Sequence, residues 1–290
     1  IFVLTGILAF ASIAMVLWFI PNPAIKHFHS TTQASSSKLK DVLRNKDLLR
    51  MDFGVFTLHA ILMSVFMQIP FILRADGIDI QHQWIVYLPV MLVAFALMIP
   101  PILIAERQGK MKQVFMASIG VAALAQLGIL FWQDSVWGVA FSLIVFFAAF
   151  NVLEATQPSI VSKIAPLDAK GTAMGVFSSV QFLGAFFGSA MGGLLMQIYG
   201  GDAVLVFAVI MLMLWLFVAS SMHPPKPLTT KMYHLRKMTE EEARTIKQSL
   251  AQLRGVEEVL IVVDEQIACV KVEISGFDED GVEQLVLRHA

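Results

Sequence analysis

The residue whose chemistry stands out first is Glu154. It is the only carboxylate well inside one of the chain's long apolar runs, residues 136–157. An ionisable side chain at membrane depth costs about 3 kcal/mol or more, so it reads by default as functional. Asn151 and Gln157 flank it at i−3 and i+3, on roughly one helical face. His59 lies eight residues into the run 51–73, with Gln68 nine further on. An imidazole titrates near neutrality and can relay a proton. Together these residues point to proton handling. Each also has a plainer reading. Counted from Ser135 at ~1.5 Å per residue, Glu154 sits about 28 Å along its helix. That is close to an interface, where an ion pair with Arg107 or Lys110 would account for it. His59 would equally serve as a polar side chain bonded to a neighbouring backbone. The two residues are expected on different levels.

The elements that must position them are membrane helices. The chain of 290 residues is 57% hydrophobic and only 15% charged, with a mean hydropathy of +0.72. Soluble domains carry about a quarter charged residues. Seven runs approach the ~20 apolar residues a span needs: 1–20, 51–73, 84–105, 114–132, 136–157, 171–198 and 203–222. The chain opens inside the first of them, without methionine or a basic leader, and so reads as a fragment. Lys and Arg mark the cytoplasmic side. They collect in 21–50 (Lys26, Lys38, Lys40, Arg44, Lys46, Arg50), 106–113 (Arg107, Lys110, Lys112) and 158–170 (Lys163, Lys170). Segment 74–83 has only Arg74, against Asp76 and Asp79, while 133–135 and 200–202 have no cation. The alternation places the linker and the C-terminal segment in the cytoplasm. In the linker, Ser35–Ser37 offer N-caps, and Leu39, Val42, Leu43 and Leu49 fall near one helical face. That fits a short helix on the membrane surface, or simply a solvated connection. Pro70, Pro89, Pro100 and Pro101 are expected to kink or end their helices.

Composition changes at the HPPKP stretch, residues 223–227. Through residue 230 there are 13 Lys and Arg against 10 Asp and Glu; beyond it there are 8 against 12. Thr239 and Glu242 have capping-box spacing before Ile246, Leu250 and Leu253, and Gly255 is a natural stop. Two strands follow around a turn near 264–266. Ala268, Val270, Val272 and Ile274 alternate with Cys269, Lys271 and Glu273, whose face is either a docking surface or solvated. A last helix places Val282, Leu285 and Val286 inward, and 231–237 reads as an opening strand. The order βαββα is a split β-α-β unit.

The turn Glu106-Arg107-Gln108-Gly109-Lys110 between two apolar runs resembles the acidic-Arg-x-Gly-basic loop of the major facilitator superfamily, in its weaker second copy. Gly109 permits a tight turn, and the charges of Glu106, Arg107 and Lys110 lock helix ends. Residues 158–195 are similar to the loop and eleventh helix of drug-efflux facilitators. There Gly184, Gly188 and Gly192 recur every four residues, followed by Gly193. Such a face allows close packing, and it could also slide. With its C-terminal βαββα unit, the chain resembles the YajR-type permeases of that superfamily.

The resemblance implies an all-α polytopic membrane bundle, helices 6–12 of a major facilitator fold, plus a small α+β ferredoxin-like cytoplasmic domain. Helix 6 would span 1–20, a cytoplasmic linker with an amphipathic helix 21–50, helices 7–12 residues 51–222, a second linker 223–231, and the domain 232–290. It further implies a missing N-terminal six-helix half and proton-coupled efflux of a small molecule by alternating access across the cell inner membrane. The bilayer, protons and that substrate would be its partners, with an unidentified ligand or protein for the domain. Cys269 is the only cysteine. Because the first loop of the domain lacks a cysteine pair, no thiolate metal site is expected. No cofactor fingerprint or catalytic triad is present, so neither a cofactor nor an enzyme is expected. The acidic domain gives no nucleic-acid face. The alternatives are a non-transporting receptor that presents its tail domain to a cytosolic partner, and a membrane enzyme.

Overall fold

The computed structural model describes residues 2–20, 36–223, 228–263, 265–273 and 276–287. Lys26, Ser35, residues 224–227, Asp264, Ile274 and residues 288–290 lie outside the described residues. Among the described residues eight α-helices precede the small domain: α1 (Phe2–Phe19), α2 (Ser36–Arg44), α3 (Lys46–Ala75), α4 (Trp84–Arg107), α5 (Met111–Phe131), α6 (Val136–Ile164), α7 (Lys170–Tyr199) and α8 (Gly201–Ser220). Six of them, α3 to α8, are long and apolar enough to cross a membrane, and α1 is apolar but shorter. Lipid is as apolar as leucine, so these helices bury one stripe and leave the rest outward. Leu92, Phe95, Phe186 and Phe217 are exposed, while Met51, Ile61, Phe115, Phe146 and Trp215 fill the core. None of the prolines expected to kink or end a helix ends its helix. Helix α3 runs through Pro70, and α4 through Pro89, Pro100 and Pro101. The Gln83 amide adds a side-chain donor to this stretch, to Pro70 O at 2.8 Å.

The linker helix stops at Asn45, whose side chain caps α3 by accepting from the N–H groups of Asp47 and Leu48. Of its apolar residues Val42 is buried, while Leu39 and Leu43 are exposed. Helices α3, α5 and α7 start, and α4, α6 and α8 end, at the end of the bundle that carries the basic loops. Lys163 of α6 pairs there with Glu106 of α4, and Lys112 donates to Ser220 O.

The small domain is β1 (Leu228–His234), α9 (Glu240–Ala251), β2 (Val256–Val262), β3 (Ile267–Glu273) and α10 (Glu279–Leu287). Its sheet is antiparallel in the order β1-β3-β2, with Met232 and Leu260 both opposite Cys269. The Thr239–Glu242 capping box opens α9. Leu235, Ile246, Leu250, Val259, Ala268, Val270, Val272 and Val282 form a core of the domain's own. Cys269 and Lys271, on the opposite face of β3, are buried too.

Candidate functional site

The structure brings His59 and Glu154 together, contrary to the expectation of different levels. His59 Nε2 lies 3.7 Å from Glu154 Oε2. The apolar runs misplace both residues because the helices outrun them. Helix α3 begins at Lys46 and α6 continues to Ile164. His59 is thus 13 residues, and Glu154 10 residues, from the basic-loop end of its helix, roughly 15–20 Å at 1.5 Å per residue. Glu154 makes no ion pair with Arg107 or Lys110; among the described residues its titratable neighbour is His59.

Gln181 of α7 joins the pair. Its Nε2 lies 2.8 Å from His59 Nε2 and donates to Glu154 Oε1 at 3.5 Å. The imidazole leans back along α3, and its Nδ1 meets Val55 O at 3.1 Å. That contact assigns the proton to Nδ1 and leaves Nε2 as the acceptor for the amide. Phe150 stands edge-on to the ring, 6.0 Å away. The His59 side chain is 11% exposed and that of Glu154 41%, so the cluster opens to one side of the bundle. Three helices therefore share one polar contact in apolar surroundings.

The other sequence candidates lie around it. Asn151, one turn from Glu154, has a buried Nδ2 without a hydrogen-bond partner, and both amide atoms of Gln157 are likewise buried and unpartnered. Gln68 is not part of the cluster. It packs at the far end of α3, where a Cβ on Gly201 would fall 1.8 Å from its Nε2. Sequence reasoning missed Gln181, the only amide side chain in the middle of the α7 run; that isolation was the available signal. It also missed Asp52, buried at the start of α3.

In the loop motif, Gly109 adopts φ +65°, the left-handed turn that only glycine enters without strain. Glu106 is 3.2 Å from Lys163 Nζ and accepts from the Ser159 hydroxyl at 3.4 Å. Arg107 and Lys110 are exposed. The glycine face of α7 lies on the backbone of α3. A Cβ at Gly184 would come 2.3 Å from Phe56 O, at Gly188 2.1 Å from Ala60 O, and at Gly192 2.7 Å from Ser64 Cα. Gly193 stands off this face, with Met67 Cε at 3.9 Å.

The model of the Major Facilitator Superfamily matches residues 83–256. The chain is 34% identical over 287 residues to "Inner membrane transport protein YajR" of Escherichia coli (strain K12), covering 99% of this chain and 63% of that protein. It is 28% identical over 191 residues to an uncharacterized transporter of Buchnera aphidicola subsp. Acyrthosiphon pisum, 65% of this chain and 48% of the relative. A second Buchnera aphidicola transporter, from subsp. Baizongia pistaciae, is 25% identical over 77% of this chain and 57% of its own length. The chain spans less than two thirds of the length of these curated relatives. With six membrane-capable helices and a family match over more than half its residues, the chain belongs to the Major Facilitator Superfamily.

Proposed function

We propose that this chain supplies the C-terminal half of a proton-coupled efflux transporter. It would export a small molecule across the inner membrane by alternating access, with a ferredoxin-like cytoplasmic domain that regulates it. The observation that carries this reading is the His59–Gln181–Glu154 contact, which ties α3, α7 and α6 together through titratable groups. With the proton on Nδ1, His59 accepts at Nε2 from Gln181. A second proton on Nε2 turns that acceptor into a donor. The Gln181 amide must then rotate to present its oxygen, and it releases Glu154. Glu154 Oε2, 3.7 Å from the ring, becomes the partner of the imidazolium. One proton thus rewires the link among three helices, which is the kind of two-state element that alternating access needs. The relatives named as transporters support the transport reading, and the strand order β1-β3-β2 with α9 crossing over supports the ferredoxin-like one.

The test is Glu154→Gln in the full-length protein, reconstituted in vesicles. pH-driven flux of a transported compound should fall at least tenfold, with substrate exchange retained. Unchanged pH-driven flux in well-folded variant protein would remove Glu154 from the mechanism.

A further inference from the structure

The outer face of the C-terminal sheet is occupied by the chain's own α6–α7 turn. Leu167 in that turn packs with Ile267, Cys269 and Leu260, all on the side of the sheet away from the domain core. Its backbone N–H donates to Glu258 Oε1 at 3.0 Å. Lys271 Nζ, buried, donates to Ala165 O at 2.8 Å and stands 3.7 Å from Glu258 Oε2. From the other flank Lys38 of α2 grips Asp168 at 2.5 Å. Three residues after Leu167 the turn becomes α7, the helix that carries Gln181.

Two features make this contact releasable. The domain has a separate core that does not include Leu167, so it keeps its packing when the face is free. The seam is also incomplete. A cleft of 440 Å³ opens beside it, lined by Asp47, Lys163, His223, Glu257 and Lys271 among others. Among the described residues the contact includes one apolar plug and two direct hydrogen bonds, Leu167 N–H to Glu258 and Lys271 to Ala165 O.

We propose that the β2–β3 face is a releasable clamp on the start of α7, and that the docked domain restrains the movement of α7. This deepens the transport reading and rests on it for its consequence on flux. The clamp itself is measured independently. In the full-length protein in membranes, Leu167→Asp places a charge against the apolar face without touching the domain core. Cys269 should then react with a maleimide at least tenfold faster, read on its own peptide by mass spectrometry with Cys269→Ser as the blank. Amide hydrogen exchange over residues 170–178 should accelerate in the same sample. Glu258→Gln, made from the domain side, should change both readouts in the same direction. Cys269 reactivity unchanged in both variants would overturn the docked face, and faster labelling with unchanged exchange would overturn the clamp. Absence of pH-driven flux in the wild-type protein would sink the transport reading alone, since labelling and exchange still decide the clamp.

Discussion

Replacing Gly188 by alanine tests whether the α3–α7 contact is as tight as its geometry requires. The new Cβ would fall 2.1 Å from Ala60 O and 2.5 Å from Ala60 Cα. Ordinary contact begins at 3.4 Å, so the deficit at the oxygen is 3.4 − 2.1 = 1.3 Å. Both atoms belong to helical backbone and cannot rotate aside. The helices must part by about 1 Å, and the neighbouring contacts of Gly184 and Gly192 open with them. Overpacking of this kind costs about 1–3 kcal/mol. The better helix propensity of alanine returns up to ~1 kcal/mol. With that gain subtracted, a net loss of up to about 2 kcal/mol follows.

Gly193→Ala is the internal control. Its nearest neighbour is the flexible end of Met67 at 3.9 Å. It should be neutral or stabilising by up to ~1 kcal/mol. The propensity gain is common to both variants, on one helix and five residues apart, so they should differ by the overpacking cost, roughly 1–3 kcal/mol. Equilibrium unfolding of the purified full-length protein in mixed micelles measures that difference. Equal stability of the two variants, within about 0.5 kcal/mol, the scatter expected of ordinary surface changes, would refute the close approach.

Lys271 has a pKa lowered by burial, opposed by Glu258, with the charge of Lys170 also lowering it and that of Glu257 raising it. The docked state therefore holds fewer protons than the released one between the lowered value and the ordinary 10.5. Stability of the contact rises with pH where the released state binds more protons. Within that window falling pH should thus release the domain, by at most about tenfold per pH unit for one proton, and below it the contact should no longer respond. Distances between spin labels on the exposed Thr245 and Gln108, in a Cys269→Ser background, would report it; a released fraction that grew with rising pH would be the wrong sign. Gln157→Leu removes two buried, unpartnered amide atoms at nearly constant volume. Unfolding should show it neutral or stabilised by about 1–2 kcal/mol, and a loss above ~2 kcal/mol would mean that the amide has a partner in the membrane.

The legible parts of the fold are those set by neighbours in sequence. The Thr239–Glu242 box needs only a three-residue spacing, and the Gly109 turn needs only a glycine where φ is positive. Glu154 was legible as an isolated carboxylate in an apolar run. Its partners were not, because hydropathy marks the lipid-compatible stretch and not the helix. Lys46–Arg50 and Ser159–Ile164 are polar enough to lie outside the apolar windows, yet they continue α3 and α6. Depth counted from the windows therefore carried an error of more than one turn, enough to part His59 from Glu154. Gln181 stayed hidden for a different reason. The glycine repeat marks a packing face of α7, and Gln181 lies three residues before Gly184, but the repeat does not say which helix that face meets. The face of Cys269 and Lys271 was equally ambiguous, since a docking surface and a solvated one share the same alternation until a partner covers them.

The glycine face limits how α3 and α7 could move past each other. Gly184, Gly188 and Gly192 each receive a different residue of α3, at Phe56, Ala60 and Ser64, four residues apart on both helices. Four residues are about 6 Å along the axis. A slide shorter than that would drive residues bearing a Cβ into carbonyls that now leave room only for glycine. The interface is therefore a ratchet with a coarse step, and α3 and α7 move together through any smaller displacement. Gln181 and His59, one on each member of this pair, keep their 2.8 Å separation during such a movement. Glu154, on α6, does not belong to the pair, and its longer 3.5 Å and 3.7 Å contacts are the ones a rocking motion would make and break. The α6–α7 turn spans that same boundary, and it is the segment the C-terminal domain holds.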